Sequence, residues 1–337
     1  MTNNLTGRRS FMAGLAGSAG MLALANPKLA TAATPVTISE AIHLGFYVPL
    51  YTAIQKGLFA KHGLEPRLTT AGGIAQPVPA LLSNAAQFAV TGTGMSVNAT
   101  AEGAKMVNVA KIAGQISVWV VARKGTEFTG VEDFVGKTIA TLKFPSNTFT
   151  TPTYAMKAAG INPETDVTFM QLPFGAQLQA VADGRADFAT VFEWDASIGA
   201  TQFDLDVVYS LGNALGPAVF TSTFVTKQFL DSNPDAVQAY CNGIAEAEKL
   251  LHEDRSVFLE VSAAEFPSVD QAVFEAAMPR FFGDVPLVPR NPTISRAEWD
   301  TMIAHEKGAG TLRADYTYEE MVDNTFAEKA TKKFGLE

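Results

Sequence analysis

The sequence predicts an α/β protein made of two similar lobes, each a mainly parallel sheet flanked by helices, followed by a C-terminal helical tail. Two observations lead to this fold class. Apolar, β-rich runs alternate with amphipathic helical runs, and the same series of runs occurs twice. A chain of 337 residues with 47% hydrophobic content is long enough to bury two cores.

The first copy of the series begins after residue 33. In order, the runs indicate a strand in PVTISEAIHLG, a helix in PLYTAIQKGLFAKHG, a strand in EPRLTTA, a helix in PVPALLSNA and a strand in QFAVTGTG. Strands that alternate with helices in this way predict parallel pairing, because each helix carries the chain back for the next strand.

The second copy repeats that order of elements. It indicates a strand in KTIATLK, a helix in TTPTYAMKAAGI, a strand in DVTFMQL, a helix in AQLQAVADG and a strand in ADFATVF. The dipeptide Phe88-Ala89 of the first copy returns as Phe188-Ala189 in the second. The shared order is stronger support for a duplicated lobe than the shared dipeptide.

These runs divide the chain into four parts. We expect a signal peptide at 1–33, lobe one at 34–122, lobe two at 123–217, and a return to lobe one with C-terminal helices at 218–337. The chain should cross to lobe two near Val121 to Lys124 and return near Ala218 to Phe224. Two crossings between two lobes predict a hinge.

The N-terminal segment has the order of an export signal. Arg8 and Arg9 precede an uncharged apolar run, and Ala30-Thr31-Ala32 supplies the small residues of a cleavage site. Paired arginines favour the twin-arginine route, so we expect a cleaved leader and a soluble periplasmic protein. The alternative is a basic, frayed N-terminus of a cytosolic protein.

The composition limits the partners and the chemistry. A net charge of −9 opposes binding to nucleic acid or to an anionic membrane surface. Cys241 is the sole cysteine, which excludes an internal disulfide or a cysteine zinc cluster. The four histidines are too far apart in sequence to form a local metal pair, so neither a metal nor a cofactor is predicted.

The stretch TGVEDFVGKTIAT looks at first like a phosphate-binding loop. Such a loop needs four residues between its first glycine and Gly-Lys, and it must follow a strand. Here five residues separate Gly130 from Gly136, and the predicted strand comes after the motif. We therefore expect one helical turn in VEDF and no nucleotide site.

Several of these segments together resemble a known family. FYVPLYTAIQKGLFAKHGLEP, GVEDFVGKTIA and NPDAVQAY, with the strand that contains DFA, are similar to the solute-binding proteins of ABC importers, in the branch for nitrate, sulfonates, taurine and thiamine-precursor pyrimidines. The resemblance implies the two-lobed periplasmic-binding-protein fold, type II-like. It also implies a small solute held between the lobes by hinge closure, a permease partner at the inner membrane, and a monomer.

The same family also resembles an enzyme, the thiamine pyrimidine synthase that consumes one of its own histidines. That enzyme carries a cysteine-rich iron-binding motif, whereas this chain has one cysteine and an export-type leader. A binding protein without catalysis is therefore the expectation, with the enzyme as its alternative.

Ligands of open α/β sheets bind beyond the carboxyl ends of the strands, near helix N-termini. Taking the residues of those loops gives the candidate ligand-binding set: His43, Phe46, Tyr47, Thr91, Gly92, Thr93, Met95, Ser96, Gln115, Ser146, Asn147, Thr148, Phe174, Glu193 and Trp194.

Each group in this set has a structural alternative. His43 could be a satisfied, half-buried histidine, and Ser146, Asn147 and Thr148 are good helix-capping types. Glu193 and Trp194 are expected to select an amine, an amidine or a nitrogen heterocycle, through a carboxylate and a stacking face. The alternative is that Glu193 pairs with a base such as Arg185 and that Trp194 covers the hinge.

Overall fold

The computed structural model describes residues 33–336, and the predicted signal peptide lies almost wholly outside them. The strands are β1 Thr34–Glu40, β2 Leu64–Thr70, β3 Phe88–Gly92, β4 Met106–Gln115, β5 Trp119–Arg123, β6 Thr138–Leu142, β7 Thr168–Leu172, β8 Phe188–Val191, β9 Leu205–Ser210 and β10 Pro217–Thr226.

The helices fall into two groups. Those up to the return strand are α1 Val48–Gln55, α2 Leu58–Lys61, α3 Pro77–Leu82, α4 Gly94–Ala101, α5 Asn147–Ala158, α6 Gln177–Ala182, α7 Asp195–Gln202 and α8 Leu211–Leu215. Those after it are α9 Lys227–Ser232, α10 Pro234–Glu253, α11 Arg255–Glu265, α12 Gln271–Phe282, α13 Arg296–Gly308, α14 Tyr318–Met321 and α15 Thr325–Phe334.

The strands form two five-stranded sheets with the same plan. The order is β2-β1-β3-β10-β4 in the first sheet, which we call lobe one with its helices, and β7-β6-β8-β5-β9 in the second, lobe two. In each sheet four strands run in one direction, and the fourth strand of the order, β10 or β5, runs antiparallel to both of its neighbours. The predicted fold class of two similar α/β lobes with a helical tail is thus confirmed.

The repeated dipeptide occupies equivalent places in the two sheets. Phe88 lies opposite Ile38 in lobe one, and Phe188 lies opposite Ile139 in lobe two, with the following alanines paired in the same register. Both phenylalanines are buried. The echo in the sequence therefore reflects two copies of the same strand pair.

The antiparallel strand of each lobe comes directly after the chain has crossed from the other lobe: β5 follows the first crossing and β10 follows the second. The chain passes from β4 of lobe one to β5 of lobe two over residues 116–118 and comes back at β10. We expected the first passage near Val121 to Lys124. It lies a few residues earlier, because Trp119–Arg123 already pairs with β8 and β9 of lobe two. An antiparallel strand buried on both faces gives no sequence signal of which sheet it joins.

The C-terminal helices do not all return to lobe one. Helix α11 packs against α1 of lobe one, whereas α12 packs against α7 of lobe two. Helix α13 covers β10 and also reaches α5 of lobe two. The tail therefore joins the lobes, which differs from our expectation that it would only extend lobe one.

The stretch around Gly136 has the expected local structure. Val131–Phe134 forms one turn of 3-10 helix, and β6 begins at Thr138, directly after Gly136 and Lys137. Phe134 is fully buried. The turn thus lies between β5 and β6 within lobe two.

Candidate functional site

The two lobes meet where the loops after β1 and β8 face each other. The loop after β1 contains a 3-10 turn, Gly45–Tyr47, and the loop after β8 contains Phe192 and Trp194. The ring of Phe46 lies 6.0 Å from that of Phe192. This contact joins the carboxyl ends of two central strands, one from each lobe, as expected for the cleft of an open-sheet protein.

The Phe46 contact belongs to a small aromatic cluster. Phe220 of β10 lies 5.7 Å from Phe46, so lobe one supplies two rings and lobe two supplies Phe192. All three side chains are buried. Tyr47 is buried beside them, and burial raises its pKa far above the usual range, with a hydrogen bond to Thr221 opposing the shift. The nearby Glu40 carboxylate adds to the rise in the pKa of Tyr47. At this point the region between the lobes is therefore mainly aromatic.

Gly45 allows the lobes to approach closely. A Cβ atom at this position would lie only 2.5 Å from the Trp194 ring, which is shorter than any normal carbon–carbon contact. The indole of lobe two thus rests directly on the backbone of lobe one. A side chain at position 45 would separate the two loops.

Trp194 does not point into open space. Its indole stacks on Phe281, with centroids 5.2 Å apart, and packs edge-on against Phe266 and Phe274. Phe258 is the fourth ring around the indole, with ring centroids 6.0 Å apart. We call this arrangement the Trp194 joint, because it ties lobe two to helices α11 and α12. It corresponds to the alternative in which Trp194 covers the hinge.

Glu193, next to Trp194, is held by a base. Its carboxylate accepts a hydrogen bond from Nε of Arg280 in α12, and also from Ser197 Oγ at 3.1 Å and Ser197 N at 3.2 Å. Arg185, which we had considered as the partner, pairs with Asp183 instead.

The electrostatics at Glu193 are dominated by burial. Burial raises the pKa of the Glu193 carboxyl, although Arg280 and Ser197 act in the opposite direction. Burial, with Glu193 close by, also raises the pKa of Asp195 to about 6. Because Arg280 and Ser197 already bind the Glu193 carboxylate, few of its lone pairs remain to bind a charged solute.

The hydroxyl groups predicted in lobe one are used inside the lobe. Thr91 Oγ1 donates to Ile74 O at 2.7 Å, and Thr93 Oγ1 donates to Val219 O at 2.6 Å. Ser96 Oγ donates to Thr93 O at 2.8 Å. These side chains position the loop after β3 in this structure, and their hydroxyl protons are already engaged.

The remaining two residues of that loop differ from the hydroxyl groups. Gly92 ends β3 half-buried, and a Cβ placed there would meet nothing within 4 Å. Met95 is half-buried and packs on the core. Space beside the loop after β3 is thus found at Gly92.

The loop after β6 carries the predicted capping residues. Ser146 caps α5, accepting from Thr148 N, and Thr148 Oγ1 in turn accepts from Leu142 N at 3.0 Å. Asn147 is half-buried at the first position of α5, where no side-chain hydrogen bond is found within the described residues. Of these three residues, Asn147 is therefore the one whose side-chain amide is available to a solute, as far as the described residues show.

His43 lies in a cluster of acids and aromatic rings. Its Nδ1 is 2.9 Å from Glu40 Oε1 and its Nε2 is 3.4 Å from Glu265 Oε2. The ring packs on Tyr51 and Phe266 at 4.7 Å each. The hydrogen bond to Glu40 raises the pKa of His43. The structure therefore places His43 as a satisfied, half-buried histidine.

The last two predicted residues lie away from the aromatic cluster. Gln115 Nε2 donates to Val285 O at 2.6 Å, and its Oε1, without a partner among the described residues, faces Gly212. Gln115 lines a cavity of about 320 Å³ on the hinge side, with Arg280 and Asn213. Phe174 follows β7 and is 61% exposed, at the outer edge of lobe two.

Sequence reasoning missed three residues of this region: Phe192, Phe220 and Arg280. Phe192 ends the predicted strand ADFATVF, and Phe220 lies in the predicted return near Ala218 to Phe224. Nothing in one sequence distinguishes a phenylalanine between the lobes from one in the core. Arg280 lies in α12, far from Glu193 along the chain. Only the packing of α12 on lobe two brings the two charges together.

Among residues 33–336, no helix has the length and apolar character needed to cross a membrane. Within the same residues, no three histidine, cysteine, aspartate or glutamate side chains gather as ligands for a metal ion.

The fold and the meeting loops define a two-lobed protein of the periplasmic-binding-protein class. The model of the NMT1/THI5-like family matches residues 46–255. This chain therefore belongs to the NMT1/THI5-like family.

Individual relatives agree with that class. The binding protein YtlA of Bacillus subtilis is 26% identical over 318 residues, which cover 93% of this chain and 95% of that protein. The periplasmic aliphatic sulphonate binding protein of Escherichia coli has a TM-score of 0.67 at 17% identity, covering 82% of this chain and 91% of its own. The periplasmic nitrate-binding protein of Synechocystis PCC 6803 has a TM-score of 0.68 at 15% identity, with 89% of each chain covered. At these identities the two solved structures show a similar fold and nothing further about function.

Proposed function

We propose that this protein is the extracytoplasmic substrate-binding component of an ABC importer. It captures a small organic solute between its lobes, closes on it by rotation about the two passages of the chain, and delivers it to a permease at the inner membrane. Membership of the NMT1/THI5-like family supports this function, as do relatives named as binding proteins. The proposal includes export by the leader peptide and a monomeric, soluble protein in the periplasm.

The solute class is the finer part of the proposal. Between a sulfonate of the taurine type and a nitrogen heterocycle, we favour the heterocycle. The observation that carries this choice is the cluster of Phe46, Phe192 and Phe220 where the lobes meet. A flat ring gains stacking and apolar contact there, whereas a sulfonate needs donors that are not already used.

The charge pattern near the cluster points the same way. Arg280, the base that contacts the segment of Glu193 and Trp194, is already paired with Glu193. A free sulfonate would have to compete with that buried carboxylate for the guanidinium. A neutral or weakly basic ring avoids this competition, with Asn147 and the backbone at Gly92 as its polar contacts.

The test is a binding screen on the purified protein. Mass spectrometry first identifies what co-purifies, and a thermal-shift screen then compares aminopyrimidines, taurine, alkanesulfonates and nitrate. A solute that binds the native state raises the melting temperature, and we expect the aminopyrimidines to give the largest rise. Tighter binding of sulfonates than of ring compounds would overturn the solute class.

A variant sharpens this test. Phe46→Leu keeps an apolar side chain but removes the ring, so the affinity for an aminopyrimidine should fall by about tenfold. Phe174→Leu is the matched control, since Phe174 is exposed and has no place in the cluster. Equal losses in both variants, or none in Phe46→Leu, would remove the cluster from the site.

A further inference from the structure

A second contact between the lobes lies on helices α13 and α5. His305 Nε2 of α13 is 3.0 Å from Thr151 Oγ1 of α5, so a lobe-one helix and a lobe-two helix share a hydrogen bond. The ring of Tyr154, one turn further along α5, packs edge-on against the imidazole at 5.2 Å. A Cβ at Gly308 would lie 2.4 Å from the Tyr154 ring, so this glycine lets the ring rest on α13.

The imidazole of His305 is enclosed by neutral groups. His305 is 1% exposed, and its Nδ1 has no hydrogen-bond partner within the described part of the chain. If the neutral ring donates from Nε2 to Thr151, only a lone pair on Nδ1 is left without a partner. The protonated ring would instead bury a charged N–H with nothing to accept it, which costs far more.

No charged group nearby offsets that cost. Strand β10 and helix α4, which pack against α13, contain no charged residue. On α13 itself, Glu306 turns its carboxyl to Thr311, and the exposed Lys307 pairs with Asp315. Lys157 of α5 is exposed beyond Tyr154.

The glutamates of α14 are also engaged elsewhere. Glu319 pairs with Arg296 at the start of α13, and Glu320 binds Thr317. Burial alone lowers the pKa of His305, to about 4.

We propose that the His305–Thr151 contact is a pH-sensitive latch, which holds the lobes together only while the imidazole is neutral. When the lobes separate, α5 leaves α13 and water reaches the ring. Protonation then stabilises the separated state, and the lobes part more readily as the pH falls. The proposal rests on the hinge closure of the proposed function, and it does not depend on which solute is bound.

The direction and size of the effect follow from linkage. The pKa of His305 is lowered in the joined state and returns towards the ordinary 6.5 when the ring is solvated. The stabilisation of the joined state is therefore fully present above pH 6.5 and is lost as the pH falls from 6.5 towards 4. Between pH 7.5 and pH 5 the ratio of joined to separated protein should fall by at most about 25-fold.

The experiment measures the distance between the lobes without added solute. Nitroxide labels at Gln76→Cys and Lys143→Cys, on exposed loops of lobes one and two, report the separation by pulsed electron paramagnetic resonance; Cys241 is buried. We expect the short distance to lose population between pH 7.5 and pH 5. His305→Gln, which can still bond to Thr151 but does not titrate, should keep the same distribution at both pH values.

A matched control and a second readout complete the test. His252→Gln removes another histidine of lowered pKa, one that bonds Val288 O and Pro289 O within the C-terminal segment, and it should leave the pH response of the wild type intact. Nuclear magnetic resonance on the four imidazoles should give His305 a pKa below 5.

Three results would overturn the latch: a pKa near 6.5 for His305, a pH response that persists in His305→Gln, or no change of distance in the wild type. None of them depends on the solute screen, so a wrong solute class would leave the latch standing.

Discussion

Two of the contacts between the lobes, the Trp194 joint and the His305 latch, differ in what they bury. The Trp194 joint buries a large indole among four phenylalanines and pairs the charges of Glu193 and Arg280. The His305 latch consists of one neutral hydrogen bond and the edge of a tyrosine ring. Because apolar burial scales with area, the joint should persist during opening and the latch should break. Contacts made by the same two lobes thus have different tasks.

The largest expected effect is at the joint itself. Trp194→Ala removes the indole from its four rings and leaves a cavity, which should lower the free energy of unfolding by about 3–5 kcal/mol. Trp194→Phe, which keeps part of the packing, should cost clearly less. Urea denaturation followed by circular dichroism measures both variants. A loss below about 1 kcal/mol for Trp194→Ala would mean that the joint does not hold the lobes.

The charge pair of the joint should be next in size. Arg280→Met leaves the Glu193 carboxyl buried without its base, at a cost of about 3 kcal/mol at neutral pH. Without Arg280 the pKa of Glu193 rises further, so the loss should shrink as the pH is lowered towards 4.5 and the carboxyl takes up a proton.

The control for this prediction removes both charges. Arg280→Met combined with Glu193→Leu buries no unpaired charge and should recover most of the stability. Thermal unfolding at pH 7.5 and pH 5 compares the three proteins. A double variant as weak as Arg280→Met would show that Glu193 is not the group left unsatisfied.

The plan of the lobes could be predicted from the sequence because it is local. Each strand and helix carries its own periodicity, and the second copy repeats the first, so α/β lobes follow without tertiary information. The membership of β5 could not be predicted in this way. Its first four residues are apolar and buried, and which sheet accepts them is decided by pairing with Phe188–Val191 and Leu205–Ser210.

The site was predictable only to the level of its loops. The rule that ligands bind beyond strand ends led to the loops of Phe46 and Trp194, and these loops meet across the lobes. The rule does not say where each side chain points. Thr91 turned to a nearby carbonyl, and Glu193 found its base in a helix that begins far along the chain. Both outcomes depend on tertiary packing.

A smaller effect is expected at the latch. Thr151→Val keeps the shape of the side chain but removes the hydrogen bond to His305, which should weaken the joined state by about 0.5–1.5 kcal/mol at pH 7.5. Thr153→Val on the same helix is the matched control, because Thr153 Oγ1 bonds only Phe149 O within α5. The interlobe distance should change in the first variant alone. Equal distributions in both would show that the latch carries no free energy.

The smallest effect concerns His43, whose pH response has the opposite sign to that of His305. The hydrogen bond to Glu40 raises the pKa of His43, so protonation stabilises the folded state. This stabilisation is fully present below the unfolded pKa of about 6.5 and is lost as the pH rises through the raised value. The side chain is 31% exposed, and solvent screening should keep the contribution under about 1 kcal/mol.

His43→Gln should therefore lower the melting temperature at pH 5.5 more than at pH 8.5. His62→Gln is the control, because the pKa of His62 is lowered, and it should not follow this trend. A greater loss at pH 8.5 in His43→Gln would mean that His43 acts through packing on Tyr51 and Phe266 and not through its charge.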